Sequence, residues 1–285
     1  MSLAASSLSR SPLGVCSWSL QVKSVPELVR LTETLGTKNV QVACGDPHHA
    51  SWEECDTMAL AARATDLNFT GAMIGFPGED YTTPDHIKRT GGFGDPATRA
   101  ERLETLKWAL ERTRALNLKH LMLHAGFIPE PGDPARDAML DTLRTAAQMA
   151  ADKGITLAFE TGQETADLLR LTLDELKCPN LKVNFDPANM LLYDMGDPIR
   201  AVRILGKDIV SVHLKDAKRP LVKGQWGEEV RLGEGEVNIP AFLKALADIE
   251  FDGPLNVERE VGDQKGRMLD VAHGLSLVNK LLERE

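Results

Sequence analysis

The sequence predicts a single (β/α)8 barrel, the TIM-barrel architecture, with its active site at the C-terminal ends of the strands. Three observations carry that expectation. Strand-like and helix-like stretches alternate along the whole chain, the strand-like stretches number eight, and four of the later ones end in a residue able to bind a metal ion. Such alternation marks parallel α/β architecture, and catalytic groups of barrel enzymes collect at the C-terminal strand ends.

The candidate strands are 13 to 17, 38 to 43, 69 to 75, 119 to 124, 155 to 160, 181 to 185, 209 to 214 and 254 to 258. Between them lie helix-start signals. Ser24 and Ser51 each precede a Glu by three residues, Glu27 and Glu54, so hydroxyl and carboxylate can satisfy first-turn amides reciprocally. Asp95-Pro96, Asp133-Pro134 and Asp197-Pro198 pair an N-cap acceptor with a proline that lacks the amide hydrogen a first helical residue does not need. Apolar stripes at helical spacing follow: Leu103, Leu106, Leu110 and Leu116 in 97 to 117, and Met139, Leu143, Ala146, Ala147 and Ala150 in 135 to 152.

Residues 1 to 11 are Ser-rich, lack a secretory apolar region and are expected to form a disordered tail. Residues 12 to 285 show no linker or composition shift and read as one domain. Two connections, 76 to 94 and 217 to 237, are too long for plain βα turns, and each follows a strand at the catalytic end. They are expected to be lids.

Composition narrows the partners. The chain of 285 residues has a net charge of −9, which argues against a nucleic-acid binder because such affinity depends on clustered Lys and Arg. No stretch approaches a membrane span of about 20 apolar residues. Cys16, Cys44, Cys55 and Cys178 form no CxxC pair, so a structural zinc site is not expected, and scattered thiols fit a reducing, cytoplasmic setting.

Glu160, Asp186, His213 and Glu258 close the runs ITLAFE, LKVNFD, IVSVH and PLNVE, separated in turn by 26, 27 and 45 residues. At about 30 residues per βα unit, the first two gaps are one unit each and the third is a unit with an insertion. Acidic N-caps after strands are the alternative reading, and they would have to coincide at all of these positions. Three carboxylates and one imidazole suit one divalent metal ion, Mn2+, Mg2+, Co2+ or Zn2+, and a six-coordinate ion would keep two positions for neighbouring substrate oxygens. A Lewis acid gripping an α-hydroxy carbonyl makes the adjacent C–H acidic through a metal-stabilised enediolate. Glu160 and Glu258, three strands apart, could then flank the substrate as base and acid, with spectator ligation as the alternative.

The strand-end motifs AFETG, NFDPANM, VHLKDAK and NVERE resemble the xylose-isomerase-like TIM-barrel superfamily, the sugar phosphate isomerase/epimerase group that also includes AP endonuclease 2-like proteins. The likeness spans essentially the whole chain from about residue 12. It implies a metal site at Glu160, Asp186, His213 and Glu258, with the two glutamates as the acid/base pair, and Arg219, six residues after the metal His, as a clamp on substrate oxygens. Arg231 competes for that role. Where ketose 3-epimerases carry a His after the metal Asp and a Glu six residues after the first metal Glu, this chain has Asn189, itself a candidate for substrate binding, and Ala166, with Glu164 nearby. The endonuclease branch uses many more strand-end histidines than His213 and His124.

Further candidates for substrate binding are Lys215, two residues after His213 and on the same strand face, or else a solvated lysine; His124 at the end of strand 4, or else a structural histidine; and Trp18, a wall for a sugar ring or else a core residue. His48, His49, His86 and His273 receive no role. The expectation is therefore a cytoplasmic metal-dependent sugar isomerase or epimerase acting on a ketose or keto-sugar, with a homo-oligomer allowed. A lyase of the inosose dehydratase kind is the second reading, and a non-catalytic sugar-binding barrel the third. No Gly-rich phosphate cradle follows strands 7 and 8, which favours an unphosphorylated substrate.

Overall fold

A computed structural model of the protein describes residues 7–45 and 52–282. Eight strands close into a parallel barrel: β1 (Leu13–Cys16), β2 (Asn39–Ala43), β3 (Asn68–Met73), β4 (His120–Leu123), β5 (Thr156–Glu160), β6 (Leu181–Phe185), β7 (Ile209–Leu214) and, after a two-stranded ribbon of β8 (Asp216–Lys218) and β9 (Glu228–Val230), β10 (Leu255–Val257). Around the barrel the order is β1-β10-β7-β6-β5-β4-β3-β2. The strands read as almost unbroken apolar runs because helices cover one face while the other fills the barrel interior. Val15, Val40, Val42, Leu121, Leu157, Phe159, Val183 and Phe185 are all fully buried.

The helices form where local chemistry starts them. Ser24 Oγ accepts from Glu27 N at 3.4 Å ahead of α1 (Val25–Leu35), while Glu27 Oε2 reaches back to Lys23 N at 3.0 Å. Asp197 caps α8 (Pro198–Leu205) through Ile199 N and Arg200 N, as the Asp-Pro pair predicts. The other two Asp-Pro pairs sit one turn early. Asp95 and Asp133 accept from Ala97 N and Ala135 N in turns that precede α4 (Arg99–Ala115) and α5 (Arg136–Ala151). The pair Ser51 and Glu54 cannot be followed, since Ser51 lies outside the described residues; Glu54 Oε1 accepts instead from Val25 N at 2.8 Å. The remaining helices are α2 (Met58–Arg63), α3 (Pro84–Thr90), α6 (Ala166–Leu176), α7 (Pro187–Leu192), α9 (Ile239–Asp248) and α10 (Gln264–Leu281).

The expected tail needs correction over its described part. Residues Ser7–Arg10 form a 3-10 turn, Leu8 is fully buried, and Ser7 Oγ donates to Phe251 O at 2.5 Å. Leu8 offers enough apolar surface to hold this short segment against the barrel, whereas Ser-rich composition alone gave no sign of it.

The two long connections are ordered and meet above the strand ends. In 76 to 94, Glu79 accepts from Phe76 N at 3.1 Å and Gly92 N at 2.8 Å, and buried Arg102 donates to the carbonyls of Thr90 and Gly92. In 217 to 237, Asp216 is 1% exposed and takes four backbone amides, from Ala217 (2.9 Å), Gly233 (2.9 Å), Gly235 (3.0 Å) and Val237 (3.1 Å). A Cβ on Gly235 would stand 2.2 Å from the Asp216 carboxylate, so that position needs glycine. Trp226 Nε1 donates to Tyr81 O at 3.1 Å and ties one connection to the other. Replacing Asp216 with Ala strands these amides. Asp216→Ala is expected to cost about 3 kcal/mol, read as a lower midpoint in urea unfolding.

Candidate functional site

The C-terminal ends of β5, β6, β7 and β10 bring Glu160, Asp186, His213 and Glu258 together. One ligand atom from each lies within 4.8 Å of all the others, and all four side chains are buried. Local structure aims them. Asp186 is the N-cap of α7, its Oδ1 accepting from Asn189 N at 2.9 Å, which leaves Oδ2 facing the cluster. That oxygen is buried and without a hydrogen bond.

The imidazole is held from below. His213 Nε2 lies 2.7 Å from Gln41 Oε1, which can only accept, and 3.2 Å from Asn184 Nδ2. Nδ1 then faces the carboxylates of Glu160 (2.9 Å), Glu258 (3.3 Å) and Asp186 (3.7 Å). Burial opposes a charge on His213, yet the carboxylates of Glu258 and Glu160 hold its pKa well above the usual histidine range. A cation would take that proton's place.

The donor set fits a divalent ion. With His213 neutral, three buried carboxylates against one ammonium, Lys215, leave two negative charges, and buried charge must be neutralised. Lys215 is 2% exposed, with Nζ 3.0 Å from Glu258 Oε2, 3.6 Å from Asp186 Oδ2 and 3.2 Å from Asn189 Oδ1, and it also pairs with Glu260. It is thus a buried part of the cluster and not a solvated loop residue. Glu258 pays for burial but is stabilised by His213 and Lys215, which lower its pKa and keep it ionised.

Three more predicted residues reach the same place. Trp18 Nε1 donates to Glu258 Oε1 at 2.6 Å, and its ring meets His213 edge-on at 5.7 Å. His124 Nε2 lies 3.1 Å from Glu160 Oε2. Asn189 Nδ2 donates to Glu160 Oε1 at 3.1 Å. Together with Glu160 and Glu258 they line a cavity of about 470 Å³ that opens outward from the cluster.

Arg219 is not brought there. Its guanidinium donates to Gly196 O at 2.9 Å and faces Asp194 at 3.5 Å, because the β8–β9 ribbon carries it outward from the barrel mouth. Arg231 pairs instead with Asp270 at 2.8 Å. Of the histidines without a role, His86 bonds Thr82 and Asp80 on the surface and His273 faces Leu232 O. His48 and His49 lie outside the described residues.

Sequence reasoning missed the cavity's outer wall, formed by Tyr81, Tyr193 and Trp226 with Glu79 and Glu260. It also missed the layer beneath the carboxylate–imidazole cluster. Asn184, Ser211 and Asn256 stand two residues before Asp186, His213 and Glu258, and Gln41 joins them from β2; all are buried. A two-residue strand period puts such residues on the ligands' own face, so polar residues inside apolar runs were the available signal. Glu164, noted only as a neighbour of Ala166, is 5% exposed, and burial followed by repulsion from Glu160 raises its pKa to about 8.

Fold and cluster together define a (β/α)8 barrel with a carboxylate–imidazole centre at adjacent strand ends. The chain belongs to the xylose isomerase-like TIM barrel family, whose profile matches residues 29–281. It is similar to the crystal structure of a xylose isomerase domain protein from Planctomyces limnophilus, with a TM-score of 0.85 and 32% identity over 95% of this chain and 96% of that one. An L-ribulose 3-epimerase of Methylomonas sp. (strain DH-1) is 27% identical over 176 residues, which is 58% of each chain. A probable 3-DHS dehydratase of Bacillus anthracis shares the fold alone, with a TM-score of 0.69 and 16% identity over 94% of this chain and 98% of that one. No helix among the described residues is long and apolar enough to cross a membrane.

Two outcomes are expected of the site. Gln41→Leu removes the acceptor that orients His213 and should weaken Mn2+ binding about 10- to 100-fold, measured by calorimetry on chelator-stripped protein. Glu164 binds its proton more tightly folded than unfolded, so it stabilises the fold fully below pH 4.5 and loses that contribution as pH rises towards about 8. Urea midpoints of metal-free protein at pH 5 and pH 9 should therefore fall less for Glu164→Gln than for the wild type.

Proposed function

We propose that the protein is a divalent-metal-dependent sugar isomerase or epimerase acting on a ketose or keto-sugar by proton transfer at the carbon beside the carbonyl. The observation that carries this reading is the pair Glu160 and Glu258. Both are buried in the same cluster, both line the cavity, and they stand on strands separated by β6 and β7. Carboxylates so placed reach a bound sugar from different sides, as removal of a proton on one side and its return on the other require. A divalent ion held by Glu160, Asp186, His213 and Glu258 would supply Lewis acidity towards the carbonyl.

This chain's residues contribute the rest. Glu258, with Trp18 Nε1 2.6 Å from its Oε1 and Lys215 Nζ 3.0 Å from its Oε2, is held ionised and in place, and is suited to accept a proton. His124 and Asn189 hold the two oxygens of Glu160 and line the cavity beside it. The linked connections contribute Tyr81 and Trp226 to the cavity's outer wall. The similarity to an L-ribulose 3-epimerase supports the same chemistry.

The test strips the protein with chelator, adds back single metals and incubates it with a panel of keto-sugars in D2O. Metal-restored deuterium incorporation beside the carbonyl at unchanged carbon skeleton is expected, and Glu160→Gln or Glu258→Gln should slow it about 100- to 10,000-fold. Absence of incorporation with every metal would overturn the reading. A product lighter by one water would make the enzyme a lyase instead.

A further inference from the structure

We propose that the cavity takes a neutral keto-sugar bearing a second sugar ring through a glycosidic bond, the first ring at the carboxylate cluster and the second against Tyr193 and Trp226. The inference rests on the isomerase/epimerase reading above and names its substrate class.

Size is the first argument. The cavity holds about 470 Å³. At about 30 Å³ per water and six CHOH units each slightly larger than a water, a hexose fills on the order of 200 Å³. One ring therefore leaves more than half of the space.

Placement is the second. Asn189 touches Glu160 in the cluster, and Tyr193 follows it by one helical turn, its amide donating to Asn189 O at 3.0 Å. Residues four apart share a helix face, with a rise of about 6 Å between them. The Tyr193 ring then meets Trp226 edge-on, with centroids 4.8 Å apart, and Trp226 is fixed by its bond to Tyr81 O. The aromatic surface thus continues from Asn189 through Tyr193 to Trp226, away from the bond that Asn189 makes to Glu160. Aromatic faces suit the apolar C–H faces of sugar rings.

Charge is the third. Among the described residues lining the cavity are Glu79, Glu160, Glu258 and Glu260, and none is Lys or Arg. Lys215 is already surrounded by carboxylates, and Arg219 and Arg231 face away. A phosphorylated or carboxylated sugar would meet only the bound metal against this negative wall, so the occupant is neutral.

The experiment titrates full-length, Mn2+-loaded protein by calorimetry with fructose, fructose 6-phosphate and the ketose-ended disaccharides isomaltulose, turanose and lactulose. At least one disaccharide is expected to bind about tenfold tighter than fructose, and fructose 6-phosphate more weakly than fructose. Trp226→Ala should remove the disaccharide advantage and Trp226→Phe keep most of it, with melting curves checking that both variants are folded. The proposal is overturned if fructose binds as tightly as every disaccharide, if the phosphate binds more tightly than fructose, if none of the sugars binds, or if Trp226→Ala leaves the ratio unchanged. Tight disaccharide binding without deuterium exchange retires the isomerase reading and keeps the second-ring site. Exchange with fructose and no disaccharide advantage does the reverse.

Discussion

Three carboxylates held within one water-poor volume are the constraint around which the strand ends are organised. Glu160, Asp186 and Glu258 repel one another at close range, and burial removes the solvent that would screen them. Everything nearby answers that charge. Lys215 inserts its ammonium, Trp18 and Asn189 donate to carboxylate oxygens, and His213 is held by Gln41 so that its other nitrogen faces the cluster. One charged lysine leaves a deficit of two, and the remaining electrostatic gap has the charge of a divalent cation.

The same constraint shapes the surroundings. The β8–β9 ribbon must be fixed if Trp226 is to cover the cavity, and Asp216 fixes it by collecting four amides from its two ends. A chain of pairs, Glu229 to Arg259 to Asp270 to Arg231, fastens the ribbon to α10. Arg219 and Arg231 are thereby committed to the scaffold, and an outer wall of aromatic rings with Glu79 and Glu260 remains without a cation. Positive charge in the site is confined to its floor.

Much of this was legible in the sequence, for identifiable reasons. The strands were found because parallel barrel strands are apolar on both faces, and the ligand positions because each carboxylate or imidazole terminates such a run. Strand period also placed Lys215 on the face of His213, and it would have exposed the polar layer of Asn184, Ser211 and Asn256 had it been followed inward. The two early Asp-Pro pairs misled because Asp and Pro favour a tight turn as readily as a helix cap, and local sequence does not separate the two. Leu8 was hidden by its polar neighbours, since a single buried side chain leaves no periodic pattern.

By itself the sequence determined the barrel, the strand-end positions of Glu160, Asp186, His213 and Glu258 and the two long connections, because strand period, helix caps and residue type act over a few residues or within one βα unit. The tertiary structure alone decided that Lys215 is a buried counter-charge, that Arg219 points away, that Gln41 from β2 orients a histidine 172 residues later, and that Trp226 meets Tyr81 across the cavity. Those outcomes depend on which distant segments the closed barrel makes neighbours and on how buried charges must be balanced once they are, and neither is written in any short stretch of the chain.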